Sequence, residues 1–308
     1  MQTFSEKVKE ELTHFTYEKN AIKAILSSYL TNNLIISFNE VGEIWEIKTQ
    51  FQPIIKLIAS FLKQLYRIKH TFSYTEIKSL NKRRTYKLTI IGDFKKINND
   101  LKLNLKIPFH IIRKPTDQRA YLVGAFLSGG SISSIEKSVY HLEIRSTKIN
   151  YLRLIQKILL KFNISSTLLK REKGFVLYIK KAVDVSDFLK IVGANRCMHE
   201  LEDKIIARDY YTNVQRINNL DVANLHKSSL AGIQQVKMIK AIRRMKEFKK
   251  LPDKFRFYCS IRLQNPEASL SEMVKIFQIK YQINITRTGI NHYVVRIKQL
   301  FIQLNKMK

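Results

Sequence analysis

Acidic residues are scarce. The 308-residue chain carries 25 Asp+Glu against 55 Lys+Arg, a formal net charge of +30. So large a deficit of carboxylates disfavours a cationic partner. It favours a polyanion, either nucleic acid or an anionic membrane surface. The deficit is deepest near the C-terminus, where residues 221–308 hold 18 Lys+Arg and 5 Asp+Glu, so the partner is expected to dock there. Cysteine is nearly absent. Cys197 and Cys259 stand far apart, which argues against a disulfide framework and suits a reducing cytosol. Long apolar runs are missing as well. None approaches the ~20 residues that span a bilayer, and the opening MQTFSEKVKEEL is too charged for a signal peptide. A soluble, cytoplasmic protein without a membrane role is the simplest reading. Single-residue tracts do not occur, and 45% of the residues are hydrophobic, enough for a substantial core and about two globular domains.

Motifs of common chemistries are equally thin. The seven histidines are scattered, and Cys197-Met198-His199 has no second pair at zinc-site spacing. No P-loop or dinucleotide fingerprint occurs. Ser128–Ser131, SGGS, reads as a Gly-rich turn that lacks the lysine of a phosphate-cradling loop. No catalytic residue, metal ligand or cofactor is expected.

What is present is a repeated pattern. A helix over Asn20–Thr31 precedes two strand-like runs, Leu34–Phe38 and Glu43–Thr49, around the turn signal NEVG. A helix opened by Pro53 follows, since proline is tolerated in a first turn. Strands over 70–77 and 85–92 and a short helix over 93–101 complete the pass. The order then recurs: a helix Asp117–Ser128 with Asp117 as N-cap, a strand over 139–146, and a helix over 149–162. A hairpin around EKG and a helix ending at Gly193 follow. Two passes, about 20–103 and 117–193, indicate an internal duplication of pattern. The first helices share a detail, Ala24 and Ser28 in one, Gly124 and Ser128 in the other. Small residues four apart lie on one helix face, and the spacing predicts that these two helices cross closely.

Past Gly193 the pattern changes. A trailing helix is expected to close a first region, 1–212. A polar connector is expected over 213–220, then an all-helical region, 221–308, whose first helix is capped by Asp221. KKLPDK marks a break before a helix that stops at Pro266. Ser269 and Glu272 form a capping-box signature. QIKYQINI (278–285) reads as a connector, and Thr286 or Thr288 opens the last helix. Its apolar stripe is Ile290, Val294, Ile297 and Phe301. This is a helix-turn-helix over about 269–304. In such a module the start of the second helix meets base edges while cations hold phosphates. Ser269, Thr286, Arg287, Thr288, Asn291 and His292 occupy the contacting positions, with Arg296 and Lys298 placed for phosphates. The expected partner is double-stranded DNA. NKRR (Asn81–Arg84) and RRMKEFKK (Arg243–Lys250) are further basic clusters, each an ordinary solvated loop unless it tracks phosphates.

Three blocks then carry a resemblance. AYLVGAFLSGGSISSIEKSVYHLEIRS, ANLHKSSLAGIQQVKMIKAI, and LPDKFRFYCSIRLQNPEASLSEM with TRTGINH resemble the WhiA family of bacterial regulators, in order over most of the chain. The resemblance implies an α+β fold: a duplicated LAGLIDADG homing-endonuclease-like domain followed by an all-helical helix-turn-helix domain. It also implies roles in cell division, chromosome organisation and, in some members, transcription, and hence a nucleoid-associated location. In active nucleases of that fold an acid near the end of each first helix helps to hold metal, because phosphodiester cleavage needs hard oxygen ligands. Aligning the nine-residue motif puts Gly129 and Asn32 at those positions, so the domain reads as non-enzymatic scaffold. The alternatives are a nuclease with a relocated site, built on acids such as Glu136 or Glu143, and an RNA- or ribosome-associated binder. The family often carries Arg where this chain has Tyr293 and Val295.

Overall fold

The computed structural model describes residues 2–39, 42–76, 84–91, 94–103, 108–133, 140–244 and 246–306. They form two compact units, Met1–Arg208 and Asp209–Lys308.

In the first unit, α1 (Phe4–Thr13) is followed by α2 (Lys19–Asn33), β1 (Leu34–Asn39), β2 (Gly42–Thr49), α3 (Gln52–Tyr66), β3 (Lys69–Glu76), β4 (Arg84–Ile91) and α4 (Phe94–Leu101). The same order recurs as α5 (Pro115–Gly129), β5 (Gly130–Ile132), β6 (Leu142–Ser146), α6 (Ile149–Lys161), β7 (Thr167–Arg171), β8 (Gly174–Ile179) and α7 (Ala182–Val192). Each pass builds one four-stranded sheet, ordered β1-β2-β4-β3 and β5-β6-β8-β7, with every pairing antiparallel. The duplication is therefore one of topology. Side chains explain which face turns inward. Along β2, Trp45 and Ile47 are buried while Glu46 and Lys48 alternate with them, the period-2 pattern of a half-buried strand. Trp45 stacks on Phe94 of α4 at 4.5 Å between ring centroids. α3 carries Pro53 in its first turn and buries Ile54, Ile55, Ile58 and Leu62 along one face, each worth about 1.5–3 kcal/mol relative to exposure.

Two expectations need correction here. Asp117 is not the N-cap of α5. It sits at the third helical position and accepts a hydrogen bond from the Lys114 N–H at 3.3 Å. SGGS is not a turn either. α5 runs through Gly129, and Gly130 is already extended as the first residue of β5. α1 is an addition to the expected elements. Thr3 and Glu6 close a capping box, and Phe4, Val8 and Leu12, four apart, are buried. α1 is fastened at both ends. Ser5 Oγ accepts from the Ile132 N–H at 2.7 Å and donates to its carbonyl at 2.9 Å. The Glu11 carboxylate accepts from the N–H groups of Arg196 and Cys197 at 2.8 and 3.0 Å, capping the next helix at its positive end.

That helix, α8 (Asn195–Ile242), is 48 residues long and corrects a further expectation. Residues 213–220, the expected connector, are exposed helix, and Asp221 lies mid-helix rather than at a cap. The reason is local. No proline or glycine interrupts α8 before Gly232, and polar residues alone do not stop a helix. The second unit continues with a short 3-10 turn, Lys246–Lys250, then α9 (Asp253–Gln264), α10 (Leu270–Tyr281) and α11 (Arg287–Lys306). Ile239 and Ile242 of α8, Phe255 and Tyr258 of α9, Phe277 of α10, and Ile290 and Ile297 of α11 meet in its core.

Candidate nucleic-acid interface

The helix-turn-helix is made by its caps. Ser269 Oγ accepts from the Glu272 N–H at 3.2 Å, and the Glu272 carboxylate accepts from the Ser269 N–H at 2.7 Å. That backbone bond holds the Glu272 carboxyl below its ordinary value. α10 runs on to Tyr281 and ends at Gln282, which is left-handed at φ 55°. Half of the expected connector 278–285 is thus helix, and the true turn is Gln282–Thr286. Thr286 then caps α11, its Oγ1 accepting from the Gly289 N–H at 3.1 Å. On α11, Ile290, Val294 and Ile297 face the core, and Phe301 packs against it. Tyr293 packs on Phe255, Tyr258 and Phe277, with ring centroids 5.9, 5.6 and 6.4 Å away. It is a core residue here, whereas Val295 is exposed.

The outer face of α11 divides in two. Arg287, Asn291 and Lys298 follow one stripe and line a cleft of about 560 Å³ together with Ser269 at the start of α10. The other wall is α8, through residues that include Asn224 and Lys227. Thr288, His292 and Arg296 are exposed along α11 and do not line the cleft. Four of the eight expected residues are therefore brought together, one is a cap, and three lie on the neighbouring strip. Sequence reasoning missed Lys227 and Arg262, which also line the cleft. Both sit in helical patterns with no local mark of a site. Of the other basic clusters, residues 81–83 and 245 lie outside the described residues. Arg84 lies over the Tyr74 ring, and Arg243 over Phe248.

The other position of interest is the crossing of α2 and α5. Ala24 and Ser28 are fully buried. A Cβ on Gly124 would overlap the Ile25 carbonyl oxygen and lie 2.8 Å from Ser28 Cβ, so the crossing is as close as the small residues require. At its end Asn32 Nδ2 donates to Ser128 Oγ at 3.0 Å and to the Arg145 carbonyl at 3.1 Å. Asn32 acts as a tie between repeats. A Cβ on Gly129 would overlap the same Arg145 carbonyl. Glu143 is held by Arg145 Nη2 at 2.9 Å and Nε at 3.2 Å, and Glu136 lies outside the described residues. Among the described residues no group of three or more His, Cys, Asp or Glu is placed to hold a metal ion, and no helix is long and apolar enough to cross a membrane.

Comparison with known proteins follows the same division. Models described as the WhiA N-terminal LAGLIDADG-like domain, the WhiA LAGLIDADG-like domain and the WhiA C-terminal HTH domain match residues 19–104, 118–211 and 214–301. The chain is 30% identical over 305 residues to the probable cell division protein WhiA of Lysinibacillus sphaericus, covering 97% of this chain and 96% of that protein. It is 31% identical over 309 residues to the protein of the same name from Bacillus pumilus, covering 98% and 97%. The crystal structure of full-length DUF199/WhiA from Thermatoga maritima matches at a TM-score of 0.60 and 24% identity, over 98% of each chain. With two LAGLIDADG-like repeats followed by a helix-turn-helix, this chain belongs to the WhiA family.

Proposed function

We propose that this protein is a non-enzymatic, double-stranded-DNA-binding protein that acts in cell division and chromosome segregation and regulates transcription. The observation that carries the reading is the stripe of Arg287, Asn291 and Lys298, exposed on α11 beside the capped start of α10. Arg can grip a guanine edge, Asn an adenine edge, and Lys a phosphate. The basic excess of residues 221–308 supplies the sequence-independent attraction. The role in division comes from the names of the relatives, which are called probable cell division proteins. A cytoplasmic, nucleoid-associated location follows from that partner.

The absence of cleavage rests on side chains. Asn32 and Gly129 stand where the fold would need acids, and both positions are committed to backbone packing. The test is incubation of purified protein with plasmid and Mg²⁺, beside anisotropy measurements on labelled duplex. Salt-sensitive binding without cutting is expected. Metal-dependent cutting that survives further purification would overturn the reading. Competition by structured RNA at equal salt separates a DNA partner from an RNA one, and duplex DNA is expected to win.

A further inference from the structure

We propose that the cleft between α8, the start of α10 and α11 is a phosphate seat, with Arg262 as its floor. The proposal rests on the DNA-binding reading and goes past it, because it assigns a role to α8 and to a residue that cannot reach a base.

Arg262 is the anomaly. It is 2% exposed. Its Nη1 donates to the Ala268 carbonyl at 2.6 Å, with the Asn265 and Pro266 carbonyls 3.4 Å away. Its Nε is buried without a hydrogen-bond partner. Among the described residues no carboxylate forms an ion pair with it. An arginine charge removed from water costs several kcal/mol unless an anion or a full set of acceptors meets it. Three carbonyls meet one end of this guanidinium and the Tyr258 hydroxyl also hydrogen-bonds to it, which leaves Nε without an acceptor. The side chain lines the cleft, so an anion could complete it from that side.

The cleft is built to the same sign. Lys227, Arg262, Arg287 and Lys298 line it, and no Asp or Glu does. Ser269, Leu270 and Ser271 bring the N-terminus of α10 to its wall. The Glu272 N–H is taken by Ser269 Oγ, which leaves those of Leu270 and Ser271 without a partner within the helix, and the helix dipole places partial positive charge there. A phosphate offers acceptors for a guanidinium fork and for helix N–H groups at once. A cleft of about 560 Å³ is much larger than one phosphate group. It leaves room for a sugar-phosphate chain, which favours the DNA backbone over a free phosphate as the source. Seated there, one backbone phosphate would fix the register of the duplex against Asn291 on the same wall.

The experiment uses the full chain and three variants, Lys227→Gln, Arg262→Lys and Asn291→Ala, each checked for an unchanged melting temperature. Arg262→Lys keeps the charge and loses the fork. If Arg262→Lys melts early, Lys227→Gln alone carries the test. Affinity is read by anisotropy on a preferred and a scrambled duplex over a salt series. Amide shifts of Leu270 and Ser271 are followed on titration with inorganic phosphate. We expect Lys227→Gln and Arg262→Lys to weaken both duplexes by the same factor, several-fold, with the salt slope falling by about 1 for Lys227→Gln. Phosphate should shift the two amides in wild type and not in the variants. Phosphate shifts with unchanged DNA affinity would support the seat and assign it to a free phosphate. Unchanged DNA affinity together with unchanged shifts would overturn it and leave Arg262 as a staple of the α9–α10 turn. Asn291→Ala reports separately: a loss confined to the preferred duplex upholds base reading whatever Lys227 does.

Discussion

Gly124 of α5 lies against Ile25 of α2 in backbone contact, with no room between them for a side chain. The two repeats of the first unit meet there. Gly124→Leu must push the helices apart or force neighbouring side chains off their rotamers. The expected loss is about 1–3 kcal/mol or more, read as a lower urea midpoint. An unchanged midpoint would mean that the crossing is looser than described.

The same crossing decides whether nuclease activity can be restored. Gly129→Asp combined with Asn32→Asp places two carboxylates at the expected positions. It also drives a Cβ into the Arg145 carbonyl and replaces a donor that ties Asn32 to Ser128 and Arg145. Carboxylates alone supply neither the positioned water nor the positioned substrate. The double variant should show no site-specific cutting with Mg²⁺ and should melt below wild type. Robust cutting would show that the surrounding shell is intact.

The two thiols report on the two units separately. Cys197 is pushed up to about 12 by burial and by the neighbouring Glu11 carboxylate, and Cys259 to about 12 by burial. Near pH 8 each then holds about a thousandfold less thiolate than an ordinary thiol. Alkylation of Cys197→Ser should follow opening of the second unit, and alkylation of Cys259→Ser opening of the first. Both should be slow in native buffer and fast in denaturant. Rapid native labelling of either thiol would contradict its burial.

Much of this was legible in the sequence. The two passes, the small residues at the crossing and the Ser269–Glu272 capping box rest on periodicity, residue size and cap chemistry, all local signals. β5 escaped because three residues carry no period and the Gly129-Gly130 pair at its start looked like a turn. α1 carried a readable signal, Thr3 with Glu6 ahead of Val8 and Leu12, beneath its dense charge. The helix start expected at Asp221 failed for the opposite reason. Asn, Gln and Arg at 213–219 looked like a linker, yet nothing among them forbids helix. The wall of the cleft was out of reach. Lys227 and Arg262 meet Arg287 only through tertiary packing, and no spacing in the chain announces that.

Reading and holding should separate on α11. If it enters the major groove, Asn291→Ala and Arg287→Ala should each lower affinity for the preferred site by about 1–3 kcal/mol. Random duplex should lose less, and least for Asn291→Ala, which removes no charge. Lys298→Ala should weaken both duplexes alike and lower the salt slope by about 1. Thr288, His292 and Arg296 provide an internal comparison, since they are exposed on the adjacent strip rather than in the cleft. If the Arg287–Asn291 stripe faces the bases, His292→Ala should change specificity little. If the helix is rolled so that the other strip faces them, His292→Ala and Thr288→Ala should carry the larger specific loss and Asn291→Ala little. Anisotropy with preferred and scrambled duplexes over a salt series measures all of these. Equal losses on both duplexes for every variant on either strip would remove base reading from this helix.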